Sequence, residues 1–258
     1  MGSATRPVAA FFDIDQTLVR GASSYHLARE LYRRGFFTPA DLAFAFRESV
    51  LYLVRGEDPR RIRRVVERAI QAMAGHSVAE VMAIGVDFAR DLYDERLFAG
   101  TTHILKQHQA LGHEVWLLST SPQEVTDLLA AHLGATGSLG TQLAREDGYY
   151  RAELSTPVMH GQVKADAACA LARQRGLDLS RSWAYSDSKS DLPLLSAVGH
   201  PCAVNPDSAL RAHARANDWP IADFRGTLRL VHTPKARRSA YLAGGLWAAT
   251  AILRHLRR

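Results

Sequence analysis

The run Ala9-Ala10-Phe11-Phe12 is apolar throughout and is followed at once by Asp13-Ile14-Asp15-Gln16-Thr17-Leu18, which sets two carboxylates two residues apart. A strand reverses side-chain direction at every residue. Asp13 and Asp15 therefore leave its carboxyl end towards one crevice, where open α/β sheets bind their ligands. Of two acids so placed, one can attack while the other moves a proton, the division of labour that phosphoryl transfer uses. An isolated Asp-x-Asp also fits an Asp-capped turn after an ordinary strand, so the pair takes its meaning from its company downstream.

Ser119 closes the apolar run Gly112-His113-Glu114-Val115-Trp116-Leu117-Leu118; Lys164 stands in Gly161-Gln162-Val163-Lys164; Asp187 and Asp191 lie four apart in Ser186-Asp187-Ser188-Lys189-Ser190-Asp191-Leu192. Each comes after a segment able to bring it beside the same crevice. Taken singly they are ordinary: a serine at a helix start is a cap, a lysine is a solvated surface residue, and the acidic pair is the first turn of a helix. In this order and together, the four motifs resemble the haloacid dehalogenase superfamily, and within it the subfamily IB phosphatases that include phosphoserine phosphatase, over residues 8 to 224.

The resemblance implies a Mg²⁺-dependent phosphomonoester hydrolase acting on a small-molecule phosphate ester. A phosphate dianion repels nucleophiles, and two like charges at 4 Å cost about 4 kcal/mol even at an effective dielectric near 20, so a cation has to sit among the acids. Asp13 and Asp187 resemble the family's direct ligands, with the main-chain carbonyl of Asp15 as a third, and Asp191 orients the ion or its waters. Asp13 is the nucleophile, giving an aspartyl-phosphate. Asp15 protonates the leaving alkoxide and then deprotonates the attacking water, which sets the chain apart from the dehalogenase branch, where that acid is lacking. Ser119, with the N–H groups after it, holds phosphate oxygens beside a helix start near Pro122, and Lys164 balances charge. Two positions depart from the pattern. Gln16 stands where many members have Gly, and Ala22 stands where phosphoserine-specific members carry a Glu that reads the substrate's ammonium group. Their carboxylate-reading Arg has no clean counterpart, although Arg55, Arg60 and Arg61 lie in the neighbourhood. Phosphoserine is therefore a poor expectation for the substrate.

Positioning these residues requires an α/β fold, a Rossmann-like doubly wound and mainly parallel sheet with an inserted helical cap. Apolar residues recur at helical spacing over 23–34, 39–55, 59–74 and 77–95, broken by Gly35 with Pro39, Gly56 with Pro59, and Gly75. Four helices without a strand form an insertion at residues 20–95, which the resemblance makes the substrate-selecting cap. The core takes residues 1–19 and 96–232. Within it, 136–154 read as short strands around an Asp147-Gly148 turn, followed by a helix at 161–176, a strand at 182–186, a helix at 189–197 and a strand at 200–204.

The chain has 258 residues, 47% hydrophobic and 22% charged, which excludes disordered and collagen-like classes. Its net charge of +6 belongs to the C-terminus: eight Lys or Arg and no acid come after Phe224, and the rest carries 24 basic against 26 acidic residues. Residues 233–258 form a basic and apolar C-terminal helix, with the uncharged stretch from Ser239 to Leu253 flanked by cations. Fifteen residues fall short of the about 17 to 25 that a spanning helix needs. The segment fits either the surface of an anionic membrane, with Tyr241 and Trp247 at headgroup depth, or a helix docked on the body or on a second subunit. It lacks the interleaved aromatic platform of a nucleic-acid binder, so no nucleic-acid partner is expected. Two cysteines, Cys169 and Cys202, provide neither a disulfide framework nor a thiolate metal cluster and suit a core in a reducing compartment. Strand-like sequence from Val8 leaves no room for a secretory signal, so the expectation is a cytoplasmic protein, with the tail as its route to a membrane surface. Two alternatives share these residues: a phosphotransferase using the same intermediate, and a membrane-surface scaffold with a non-catalytic phosphatase fold.

Overall fold

The computed structural model describes residues 6–21, 31–41, 43–44, 47–48, 51 and 59–225. In chain order the elements are β1 (Ala9–Asp13), α1 (Pro59–Met73), α2 (Val78–Arg96), α3 (Ala99–Ala110), β2 (Glu114–Pro122), α4 (Gln123–Leu133), β3 (Gly137–Thr141), β4 (Leu143–Glu146) and β5 (Tyr149–Leu154). After these come α5 (Gln162–Arg175), β6 (Trp183–Ser186), α6 (Leu192–Ser196), β7 (His200–Val204), α7 (Ser208–Ala216) and β8 (Ile221–Ala222). They fall into two compact units. The described residues of the first lie within Met1–Ser23, Gly85–Gln142 and Thr156–Leu228, and those of the second within Ser24–Ile84 and Leu143–Ser155.

The first unit is a six-stranded sheet in the order β3-β2-β1-β6-β7-β8, with every adjacent pair parallel. β1 is buried along its whole length, which is why it reads as a continuous apolar run rather than an alternating one. Its pleat sends Phe11 into a core shared with Trp116, Leu118, Ala184 and residues of α5, α6 and α7. Phe12 goes to the opposite core, with Val115, Leu117, Tyr185 and residues of α3 and α4. Both rings are wholly buried, each a contribution of about 1.5–3 kcal/mol. The chain runs outwards from β1 through β2 to β3, then returns to the other side of β1 as β6. That reversal opens a crevice at the carboxyl ends of β1 and β6, where doubly wound sheets bind ligands.

The second unit contains α1, helical residues at 31–33, 39–41, 43–44, 47–48 and 51, and the antiparallel pair β4-β5. Asp147 and Gly148 both take positive φ (50° and 83°), as a two-residue hairpin turn of the right twist demands. Three main-chain bonds tie the hairpin to the end of α1 and the start of α2: Gly75 N to Tyr150 O at 2.8 Å, Tyr150 N to His76 O at 3.0 Å, and Val78 N to Gly148 O at 2.9 Å. The stretch 136–154 is thus two things. Its first strand, β3, pairs in parallel with β2, and only the part around Asp147-Gly148 is a hairpin. The boundary between the two compact units falls at Gly85, inside α2. Among the described residues no helix is long and apolar enough to cross a membrane, and the tail at 233–258 lies outside them. Cys169 and Cys202 are free thiols, each half-buried rather than fully in the core.

At the amino ends of the strands, away from the crevice, His108 is buried between two ring partners. Its Nε2 meets the Tyr185 hydroxyl at 2.8 Å and its Nδ1 meets His113 Nδ1 at 2.8 Å. Burial, and secondarily His113, holds His108 down to about 4. Between that value and the ordinary 6.5 the unfolded chain binds a proton that the folded one refuses, so this group removes stability as the pH falls through the window. Urea unfolding at pH 7.5 and pH 5 should show wild type losing more stability on acidification than His108→Gln; parallel losses would refute the assignment.

Candidate active site

The crevice is built from three neighbouring strand ends. Asp13 is the last residue of β1 and pairs in register with Leu118 of β2, so Ser119 lies one residue further along the neighbouring strand. On the other side Phe12 pairs with Tyr185, which sets Ser186 and then Asp187 beside Asp13. Adjacent strands are about 4.8 Å apart, so these main-chain positions are close neighbours by construction. Lys164 arrives from the first turn of α5, next to Gly161, whose φ of 56° opens that helix.

The side chains then close a buried network. Lys164 Nζ donates to Asp13 Oδ1 at 2.5 Å and to Asp191 Oδ2 at 2.8 Å. Ser186 Oγ donates to the same Asp191 oxygen at 2.7 Å. Asp13, Ser119, Lys164, Ser186, Asp187 and Asp191 are all buried. Burial disfavours the charged form of Lys164, but the carboxylates of Asp13 and Asp191 outweigh it and hold the ammonium well above its usual range. Asp13 is displaced upwards, to about 7, because burial and the like charges of Asp191 and Asp15 together exceed the pull of Lys164. The two displacements oppose each other as statements about the pair. Burial is the largest contribution for Asp13, whereas the two carboxylates around one ammonium account for the rise of Lys164.

Of the residues singled out from the sequence, Asp13, Asp15, Lys164 and Asp191 are brought within electrostatic or hydrogen-bonding reach of each other. Ser119 and Asp187 lie on either side of Asp13, Ser119 within β2 and Asp187 directly after β6, its carbonyl accepting from Asp207 N at 2.8 Å. Two local expectations change. β2 continues past Ser119 to Pro122 across a register shift, so Ser119 lies inside a strand and its hydroxyl accepts from Ser121 N at 3.1 Å rather than capping a helix. Pro122 is the N-cap of α4, which begins where a helix start is expected. Asp187 and Asp191 are separated by a 3-10 turn, Lys189–Asp191, capped by Ser188. Arg55, Arg61 and Ala22 have no described side-chain placement.

Sequence reasoning missed Ser186 and Asn205. Ser186 had a local signal, a hydroxyl directly before the acidic motif. Asn205 bonds Gln16 O at 2.9 Å across 189 residues and had none. Among the described residues no three His, Cys, Asp or Glu side chains gather as a metal-binding group. Two observations nevertheless fit a hard cation: the excess of carboxylates over ammonium, and Asp191 Oδ1, buried with no hydrogen-bond partner.

A model of haloacid dehalogenase-like hydrolases matches residues 10–196. A protein of Mycobacterium tuberculosis named phosphoserine phosphatase is 38% identical over 252 residues, covering 96% of this chain and 82% of its own length. A solved structure of a Bordetella pertussis protein of unknown function has a TM-score of 0.73 at 28% identity, covering 85% of this chain and 100% of that one. A phospho-aspartyl intermediate analogue of phosphoserine phosphatase shares the fold, with a TM-score of 0.59 at 14% identity over 86% of this chain and 95% of that one. The α/β core and its crevice define a doubly wound fold with a ligand site at the strand ends. The chain belongs to the haloacid dehalogenase-like hydrolases, and among them to the phosphatases of phosphoserine-phosphatase type.

Removing one partner of a buried ion pair leaves a desolvated charge, at a cost of about 3–5 kcal/mol. Lys164→Met should therefore lower the unfolding free energy by that order in chelator-treated protein, read by urea titration. A loss below about 1 kcal/mol, the value of an exposed pair, would contradict a buried network around Lys164.

Proposed function

We propose that this protein hydrolyses a small organic phosphate monoester with Mg²⁺, through an aspartyl-phosphate on Asp13. The observation carrying this reading is the Lys164 ammonium shared by Asp13 and Asp191 at the strand ends, with one oxygen of Asp191 left unpartnered. Asp13, Asp187 and the carbonyl of Asp15 would hold the ion, with Asp191 orienting it, and when bound it would reduce the negative charge that an incoming carboxylate meets.

In the first step Asp13 attacks phosphorus as the bond to the ester oxygen breaks, and Asp15 gives its proton to the departing alkoxide. In the second, Asp15 takes a proton from water as that water attacks phosphorus, releasing inorganic phosphate and the Asp13 carboxylate. Ser119 and Lys164 hold the phosphoryl oxygens through both steps. In this reading residues 20–95 are the cap by which the substrate is chosen, and Ala22 makes phosphoserine a disfavoured one.

Wild-type protein should release phosphate from p-nitrophenyl phosphate, lose this with EDTA and regain it with Mg²⁺. Asp13→Asn should abolish both turnover and the label recovered on protein after acid quench of ³²P-phosphate ester. Asp15→Asn should cost about 10²–10⁴-fold in kcat on alkyl phosphates and less on p-nitrophenyl phosphate, whose leaving group needs no proton. A wild type inert towards phosphoserine, sugar phosphates, phosphocholine and lysophosphatidate alike would overturn the proposal, as would full turnover by Asp13→Asn.

A further inference from the structure

Behind the catalytic loop lies a residue that touches none of the reacting groups. Asn205 comes directly after β7, is wholly buried and takes a left-handed φ of 47°. Its Nδ2 donates to the carbonyl of Gln16 at 2.9 Å, and its Oδ1 accepts from Phe224 N at 2.7 Å. Its own N–H donates to Ala222 O at 2.7 Å. A carbonyl on one side and an N–H on the other fix which end of the amide is which. The anchor is itself packed, with the Phe224 ring so close over Gly100 that a Cβ there would sit 2.2 Å from it.

Gln16, the residue held, is also left-handed, at φ 62°. A side chain with a Cβ does not rest there unaided. Its N–H donates to Val19 O at 2.8 Å, and its carbonyl is taken by Asn205, so the peptide planes before and after it are both pinned. In a trans peptide the carbonyl points opposite to the following N–H. Fixing the Gln16 N–H towards Val19 therefore turns the Asp15 carbonyl the other way, and holding the Gln16 carbonyl stops the turn from relaxing.

We infer that Asn205 is a positioning residue, which locks the left-handed turn at Gln16 and so aims the Asp15 carbonyl at the cation. This role rests on the reading of the protein as a Mg²⁺-dependent phosphatase. Asn205→Asp is nearly isosteric, keeps the acceptor for Phe224 N and replaces the donor facing Gln16 with a carboxylate oxygen. Mn²⁺ titration followed by the EPR signal of the free ion should show affinity weakened about 10–100-fold relative to wild type. kcat should fall while KM for the ester changes little. A merely structural Asn205 would lower the thermal midpoint and leave Mn²⁺ affinity and the kcat-to-KM split of the folded protein untouched, and that result overturns the inference. Should the variant not fold, NMR exchange on wild type decides: the Asn205 side-chain amide and the Gln16 N–H are expected to be protected, and exchange at the rate of free amides overturns it. A wild type that takes up no Mn²⁺ removes the functional reading and this inference with it.

Discussion

The structure depends on how one buried ammonium is shared. Lys164 comes from a helix 151 residues away from Asp13 in sequence and ends between two carboxylates, one at the end of β1 and one in the 3-10 turn after β6. Taking these charges out of water is expensive, and mutual attraction offsets that cost only where geometry is fixed and the remaining lone pairs are met. Most of the core unit can be understood as meeting that condition. Three parallel strands bring the groups into register, Phe11 and Phe12 bury both faces of the central one, and Ser186 supplies a second donor to Asp191.

The carboxylate surplus gives the same network its chemistry. A perfectly neutralised cluster would be an inert structural pair. Here Asp13 and Asp191 share one ammonium, one oxygen of Asp191 has no hydrogen-bond partner, and burial, with the like charges of Asp191 and Asp15 behind it, displaces Asp13 upwards. The other end of the sheet is built on the opposite principle. His108 there has both ring nitrogens engaged by Tyr185 and His113, and burial keeps it uncharged. A buried charge cluster thus lies at the carboxyl ends of the strands, and a buried neutral imidazole near their amino ends.

Much of this is legible in the sequence because it is local. The period of two across Asp13 and Asp15, the apolar run before Ser119 and the spacing of Asp187 and Asp191 are properties of short windows, and strand geometry turns them into directions. Helices at 59–73 and 78–96 match the periodicity nearly residue for residue. What could not be read is set by partners distant in the chain. β3 sits in front of a good hairpin signal, yet it pairs with β2, because the parallel sheet offers it a buried edge and a turn signal says nothing about its outer neighbours. α3 and β8 cover or extend that sheet and show weak periodicity of their own. Asn205 is a single polar residue at a strand end, and its meaning appears only where Gln16 and Phe224 meet it. Cys169 and Cys202 lie shallower than their residue type suggests, since composition gives a tendency and not a position.

The hairpin of β4 and β5 is separated from α1 by 69 residues of chain and still completes that unit through Gly75, His76 and Val78. The helical unit is consequently not a contiguous cassette. Excising or transplanting residues 20–95 would strand main-chain donors and acceptors on both pieces, so modular exchange between relatives has to carry 143–155 along with it. On the ribosome the same arrangement delays closure of the unit until residue 155 has emerged, by which time β1, β2 and β3 are already available to pair with each other.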